Sequence, residues 1–187
     1  MGHRYAEIMF TPEAEHHQSI NGSRESYARM VAGKDRNGVL TAKEVDFITT
    51  RDSFYIATVN PDGWPYLQHR GGVRGFVQVL DEHTLAFPDF SGNRQYLTTS
   101  NLDHDSRVSL FFMDYARRRR LKLLGRAQYS APKAEAPQST TATARVERTM
   151  EIEVVAFDWN CPQHITPRYS AAELQALGID LESALEN

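Results

Sequence analysis

Four residues, Ser91, Gly92, Asn93 and Arg94, stand where an apolar run, Thr84–Phe87, gives way to a short helical pattern before Arg107. A helix start presents unpaired backbone N–H groups and the positive end of a dipole, which suits a phosphate. Arg94 adds a planar, permanently charged donor fork. Taken alone, the same residues also fit a polar hairpin with a surface arginine. Upstream, Gln68-His69-Arg70-Gly71-Gly72 puts two glycines in or just after a strand. Glycines there admit a close approach to the backbone, by a flat ring or by a β-bulge at a barrel corner.

Two further clusters carry reactive residue types. Arg117 to Arg120 is a run of four arginines, either a basic patch or the solvated end of a hairpin. Asp158 to Arg168 holds Trp159, Cys161, His164 and Arg168. A Cys161–His164 pair fits a thiolate nucleophile or plain packing, and two ligands are too few for a metal site. Asp35 to Glu44 matches the later part of a calcium loop, but its first ligand position falls on Gly33. It reads as a turn before a capped helix, and no metal is expected.

The elements that must hold these residues follow from local signals. Thr11-Pro12-Glu13 opens a helix that Asn21-Gly22 ends, Ser23 starts a second, and Thr41 with Glu44 forms a capping box for a third. From Ser53 the pattern turns to aromatic and β-branched residues. Strands are expected at Phe54–Val59, Tyr66–Arg70, Phe76–Leu80, Thr84–Phe87, Val108–Tyr115, Leu121–Tyr129 and Ile152–Phe157, a spacing that suits a small antiparallel barrel. Residues 131–144 read as a loop, and Ser170 with Glu173 caps a tail helix ending at Gly178. The domain plan is a helical extension (1–50), a barrel (51–168) and a C-terminal helix (169–187).

Composition narrows the partners. The chain has 187 residues, 24 acidic and 21 basic side chains and a formal charge of -3. That balance argues against nucleic acid or a membrane surface as partner. One cysteine forbids an intrachain disulfide. No apolar run nears the roughly 20 residues of a membrane span, and the N-terminus lacks a signal-peptide core. A cytoplasmic location is the expectation.

Taken in order, Gly63-Trp64-Pro65-Tyr66, Gln68 to Gly72, Phe87 to Gln95, Arg107 to Phe112, Arg120 to Gly125, Trp159 and Arg168 resemble the pyridoxamine 5′-phosphate oxidase-like family of FMN-binding split β-barrels. The resemblance spans Ser53 to Arg168. It implies a mainly β (α+β) fold, an antiparallel split β-barrel with peripheral helices, acting as a homodimer with FMN at the subunit interface. It implies a cofactor set of Gln68, His69, Arg70, Gly71, Gly72, Val73, Phe87, Asp89, Asn93, Arg94, Gln95, Arg120, Trp159 and Arg168. In this set Asn93, Arg94 and Gln95 anchor phosphate, Arg70 to Val73 offer backbone, Arg120 faces the ring edge, and Trp159 and Arg168 reach the partner's flavin. Either Gln68 or Arg70 faces the flavin. Gln95 stands where the family has lysine, so Arg70 or Arg74 would compensate. The C-terminal run Asn160-Cys161-Pro162-Gln163-His164 replaces an arginine-rich motif, which favours a general flavin oxidoreductase over pyridoxamine phosphate oxidation. NAD(P)H or a reductase would donate electrons. The alternatives are a flavin carrier or sensor without turnover, or a barrel holding haem, through His69 or His164, or a deazaflavin.

Overall fold

The computed structural model describes residues 3–33, 37–132, 145–159 and 162–179. The expected 131–144 loop falls largely outside the described residues, as do Asn160 and Cys161.

Four short helices lead the chain: α1 (Arg4–Met9), α2 (Pro12–Ile20), α3 (Arg24–Val31) and α4 (Ala42–Thr49). Their starts follow local chemistry. Thr11 accepts from the Ala14 N–H, and the Glu44 carboxylate accepts from both the Thr41 N–H and its hydroxyl, completing the capping box. Helix α1 was not expected, because its N-cap is His3, whose Nδ1 accepts from the Ala6 N–H at 3.4 Å. Histidine is outside the usual capping alphabet.

The strands are β1 (Ser53–Val59), β2 (Pro65–Gly71), β3 (Gln78–Asp81), β4 (Thr84–Phe90), β5 (Arg107–Asp114), β6 (Arg119–Ser130) and β7 (Val146–Trp159), with α5 (Leu97–His104) between β4 and β5 and α6 (Ala171–Ala176) after β7. They form one antiparallel seven-stranded sheet in the order β2-β1-β5-β6-β7-β4-β3. Two strands depart from expectation. Phe76 and Val77 precede β3 and are buried, because the turn through Gly75, with φ 84°, folds them onto the core. β7 begins six residues earlier than Ile152 and carries polar residues on both faces.

Strand alternation defines an inner and an outer face. Phe54, Ile56, Leu110, Phe112, Leu121, Leu123, Met150 and Ile152 point inward and are buried. Phe54 is the hub, within 5.0 Å of Phe87, 4.9 Å of Phe112 and 5.8 Å of Phe76 between ring centroids. Truncating such a ring costs about 3–5 kcal/mol. Phe47 and Ile48 of α4 join the same core. The sheet must curl, because Arg70 on edge strand β2 meets Asp89 on β4 at 2.7 Å, although four strands separate them in the sheet. No described helix is long and apolar enough to cross a membrane.

Candidate functional site

The gap between β2 and β4 opens into a cavity of about 210 Å³. Strand β2 contributes Tyr66, Gln68 and Arg70, which alternate on its inner face while Leu67 and His69 point out. Gln68 and Arg70, two apart on one strand, therefore both face the cavity. Strand β4 contributes Asp89, β7 contributes Glu147 and Arg148, and the loop Gly92–Tyr96 leads into the first turn of α5 at Leu97, Thr98 and Thr99.

Helix α5 is pinned so that this first turn lines the cavity. Asn101 Nδ2 donates to the Thr58 hydroxyl at 2.8 Å, and the Thr98 hydroxyl donates to Gln68 Oε1 at 2.7 Å. The residue before the helix, Tyr96, is left-handed (φ 52°) and its side chain makes no cap bond. Arg94 is also left-handed (φ 61°). Each such non-glycine residue costs about 1–3 kcal/mol and persists only where the surroundings hold it, typically at functional sites. Asn93 Oδ1 accepts from the Gln95 N–H at 3.2 Å, shaping the loop, and Ser91 ties it to β7 through two bonds with the Arg145 backbone, one of them from its own N–H. An uncapped helix start beside an arginine is what an anion requires.

The polar floor is a shared carboxylate. Asp89 Oδ1 lies 2.7 Å from Arg70 Nη1, and Oδ2 lies 3.0 Å from Arg148 Nη2. Arg148 stacks over Tyr129, 4.6 Å from its centroid, and near Tyr96 at 5.6 Å. Burial pushes the Tyr129 phenol pKa up, and Asp89 pushes it the same way, so the ring stays neutral. The Nε atoms of Arg70 and Arg148 are buried with no hydrogen-bond partner among the described residues. Three guanidiniums thus face two carboxylates, Asp89 and Glu147, which leaves the cavity cationic.

The cavity gathers Gln68, Arg70, Asp89, Asn93, Arg94 and Gln95. The other expected site residues lie elsewhere. His69 is exposed on the outer face, edge-on to Tyr55 at 5.6 Å. Gly71 ends β2, and Val73 is exposed. Gly72 lies against Phe76: a Cβ there would sit 2.6 Å from that ring's Cγ. Phe87 is in the core. Arg120 alternates with buried Leu121 and so sits on the outer side of β6. Arg168 lies over Tyr115 at 5.3 Å. Trp159 is at the far end of β7, where Nε1 donates to Glu44 Oε1 at 2.6 Å and the indole meets Phe47 edge-on at 4.8 Å. Burial alone would raise the Glu44 pKa, but the Thr41 and Trp159 hydrogen bonds hold it below the usual carboxylate value.

Sequence reasoning passed over Tyr66, Thr98, Thr99, Tyr129, Glu147 and Arg148. A signal existed for Arg148: counting back by twos from buried Ile152 gives Met150 and then Arg148 on the inner face.

The family model for pyridoxamine 5′-phosphate oxidase matches residues 40–170. No curated protein matches the sequence. Among solved structures, HupZ of Group A Streptococcus is similar over 70% of this chain and 99% of its own, at 15% identity and TM-score 0.49. An FMN-binding protein from Syntrophomonas wolfei is similar over 76% and 97%, at 9% identity and TM-score 0.44. An F420 reductase is similar over 60% and 94%, at 17% identity and TM-score 0.42. Identities this low carry no cofactor or substrate over to this chain.

Proposed function

The chain belongs to the pyridoxamine 5′-phosphate oxidase family, and from that premise we propose that it is a flavoprotein, an FMN-dependent oxidoreductase whose cationic cavity takes the flavin phosphate. The observation that carries this reading is the uncapped start of α5 opening onto Arg94, Arg70 and Arg148 in one cavity. Arg94 and the N–H groups of the first turn of α5 grip the phosphate, Gln68 positions the turn through Thr98, and Asn93 and Gln95 shape the loop. Asp89 engages one terminal nitrogen of each of Arg70 and Arg148, so these five-donor guanidiniums fit an anionic group as well. Bound FMN would supply hydride or electron acceptance and reoxidation.

The same cavity argues for a homodimer. Its roughly 210 Å³ falls short of the ~300–1,000 Å³ of a pocket that encloses a whole ligand. Only the phosphate end is enclosed, and the ring lies beyond, against a second surface. His69 and Arg120 belong to the outer face of the sheet. No single flavin reaches both faces of one protomer's sheet, so these residues serve the site only if the outer face of a second copy covers it. In this reading Trp159 and Arg168 are also offered to the partner's flavin. The exposed Val59 and Leu67, on outer positions of β1 and β2, fit that contact. A reductase or NAD(P)H supplies electrons, the substrate is not pyridoxamine phosphate, and the protein works in the cytoplasm.

The test is a flavin fluorescence titration with FMN and with riboflavin, which lacks the phosphate. Wild-type protein is expected to bind FMN and show flavin absorption bands. Arg94→Ala should weaken FMN by about 1.5–3 kcal/mol, roughly 10- to 150-fold, through loss of a charge-assisted contact. A protein that retains no flavin bands once unbound FMN is removed, or shows a haem Soret band as isolated, would overturn the reading.

A further inference from the structure

We propose that Arg148 is a second guanidinium ligand of the phosphate monoester, and that Asp89 is a positioning residue that holds Arg148 and Arg70 ready for it. This rests on reading the cavity as a flavin phosphate site.

The loop itself supplies one cation, Arg94, since Asn93 and Gln95 carry no charge. A phosphate monoester carries close to two negative charges at neutral pH. The balancing charge comes from the strands. Arg148 sits directly opposite Asp89 in the β4–β7 register, and Asp89 divides its two oxygens, one to Arg148 and one to Arg70. One carboxylate cannot neutralise two guanidiniums, so the triad keeps a net positive charge in a part-buried place. Each guanidinium has five donors, and Asp89 occupies few of them. Glu147 pairs with Arg148 at 3.8 Å, a charge contact without a hydrogen bond, so the positive balance of the cavity is that of Arg70, Arg94 and Arg148 against Asp89 and Glu147.

The geometry also fixes where Arg148 sits. Its guanidinium lies on the face of Tyr129 and beside Tyr96, the residue that precedes α5. Planar stacking of this kind restrains arginine in a way lysine cannot reproduce. Asp89 cannot itself contact a phosphate, because like charges at contact repel. With 5% of its surface exposed, it acts through the two arginines.

The readout is the ratio of FMN to riboflavin affinity, which a general loss of folding would not move. Arg148→Met should lower FMN affinity 10- to 100-fold and leave riboflavin within about twofold. Arg148→Lys should recover part of that loss. Asp89→Asn is the sharper case. It removes a negative charge from the site, so simple Coulomb attraction would tighten FMN. Positioning predicts about tenfold weaker FMN binding instead. Tighter FMN binding to Asp89→Asn would show that Asp89 merely competes with phosphate and would overturn its role. An unchanged ratio in Arg148→Met, or in Arg148→Lys should the methionine variant not fold, would remove Arg148 from the site. A wild type that prefers FMN over riboflavin while these variants keep its ratio sinks this inference alone. A wild type without that preference sinks the flavin phosphate reading, and the inference with it.

Discussion

Replacing Gly72 with alanine separates two reasons for a glycine at that position. A Cβ there would sit 2.6 Å from Cγ, 2.7 Å from Cβ and 3.0 Å from Cδ2 of Phe76, against about 3.5–4.0 Å for comfortable carbon contacts. Phe76 cannot retreat. It is buried, stacked on Phe54 at 5.8 Å and edge-on to Phe87 at 6.4 Å between centroids, and one clashing atom is its own Cβ. The φ of Gly72 is not in the left-handed region, so the penalty is purely steric. Overpacking of this kind costs about 1–3 kcal/mol, a fall in Tm of about 2–12 °C for a chain of this size. At Gly71 the new Cβ would crowd the exposed His69 ring, at 3.1 Å from Cε1, and touch the Asp52 carbonyl oxygen at an ordinary 3.5 Å. That ring can turn, so Gly71→Ala should stay within about 0.5 kcal/mol. Thermal unfolding by circular dichroism measures both, and FMN titration accompanies each. If Gly72→Ala melted with the wild type while FMN affinity collapsed, the glycine would serve the ligand and the packing argument would be wrong.

Other outcomes follow from single contacts. Trp159→Phe deletes the Nε1 bond to the Glu44 carboxylate and should lower stability in urea by about 1.5–3 kcal/mol; an unchanged midpoint would show that the bond contributes nothing. Arg107 holds the Asp105 carboxyl down to about 2, chiefly by hydrogen bonds. A depressed folded-state pKa gives stability present above the ordinary value of about 3.9 and lost as pH falls toward 2. The effect is small for so exposed a pair, but Arg107→Ala should move the Asp105 NMR titration midpoint up toward 4. Leu67→Asp, at an exposed outer position, should convert a dimer to a monomer on size-exclusion chromatography and loosen FMN with it. A dimer that persists would place the interface elsewhere.

What the sequence disclosed was the chemistry written within a few neighbouring residues. The capping pairs Thr41–Glu44 and Ser170–Glu173 are local, and both helices start where those pairs indicate. Period-two patterns located β1, β2, β5 and β6, because their inner positions are apolar or face the cavity in plain alternation. The start of β7 was hidden. Arg148 occupies an inner position there, tolerable only because Asp89, 59 residues earlier, meets it across the sheet. No local rule reports such a partner. For the same reason two nearby glycines suggested a ligand surface, whereas the atoms that demand Gly72 belong to Phe76, which becomes its neighbour only through the turn at Gly75. At the site, the Asn93–Arg94–Gln95 loop and the strand residues Gln68, Arg70 and Asp89 were named from the sequence, whereas Glu147 and Arg148 on β7 were not.

The Glu44 carboxylate begins a helix with two of its contacts and fastens the end of the last strand with a third. Helix α4 therefore acts as a stopper in the base of the barrel rather than as the tail of a leading appendage. Phe47 and Ile48 go with it, both essentially without solvent contact. A shortened protein that starts at the first strand would lose this plug, wet the aromatic interior and leave the indole of Trp159 without its acceptor. The smallest piece that keeps its interior dry must include the turn ahead of Thr41.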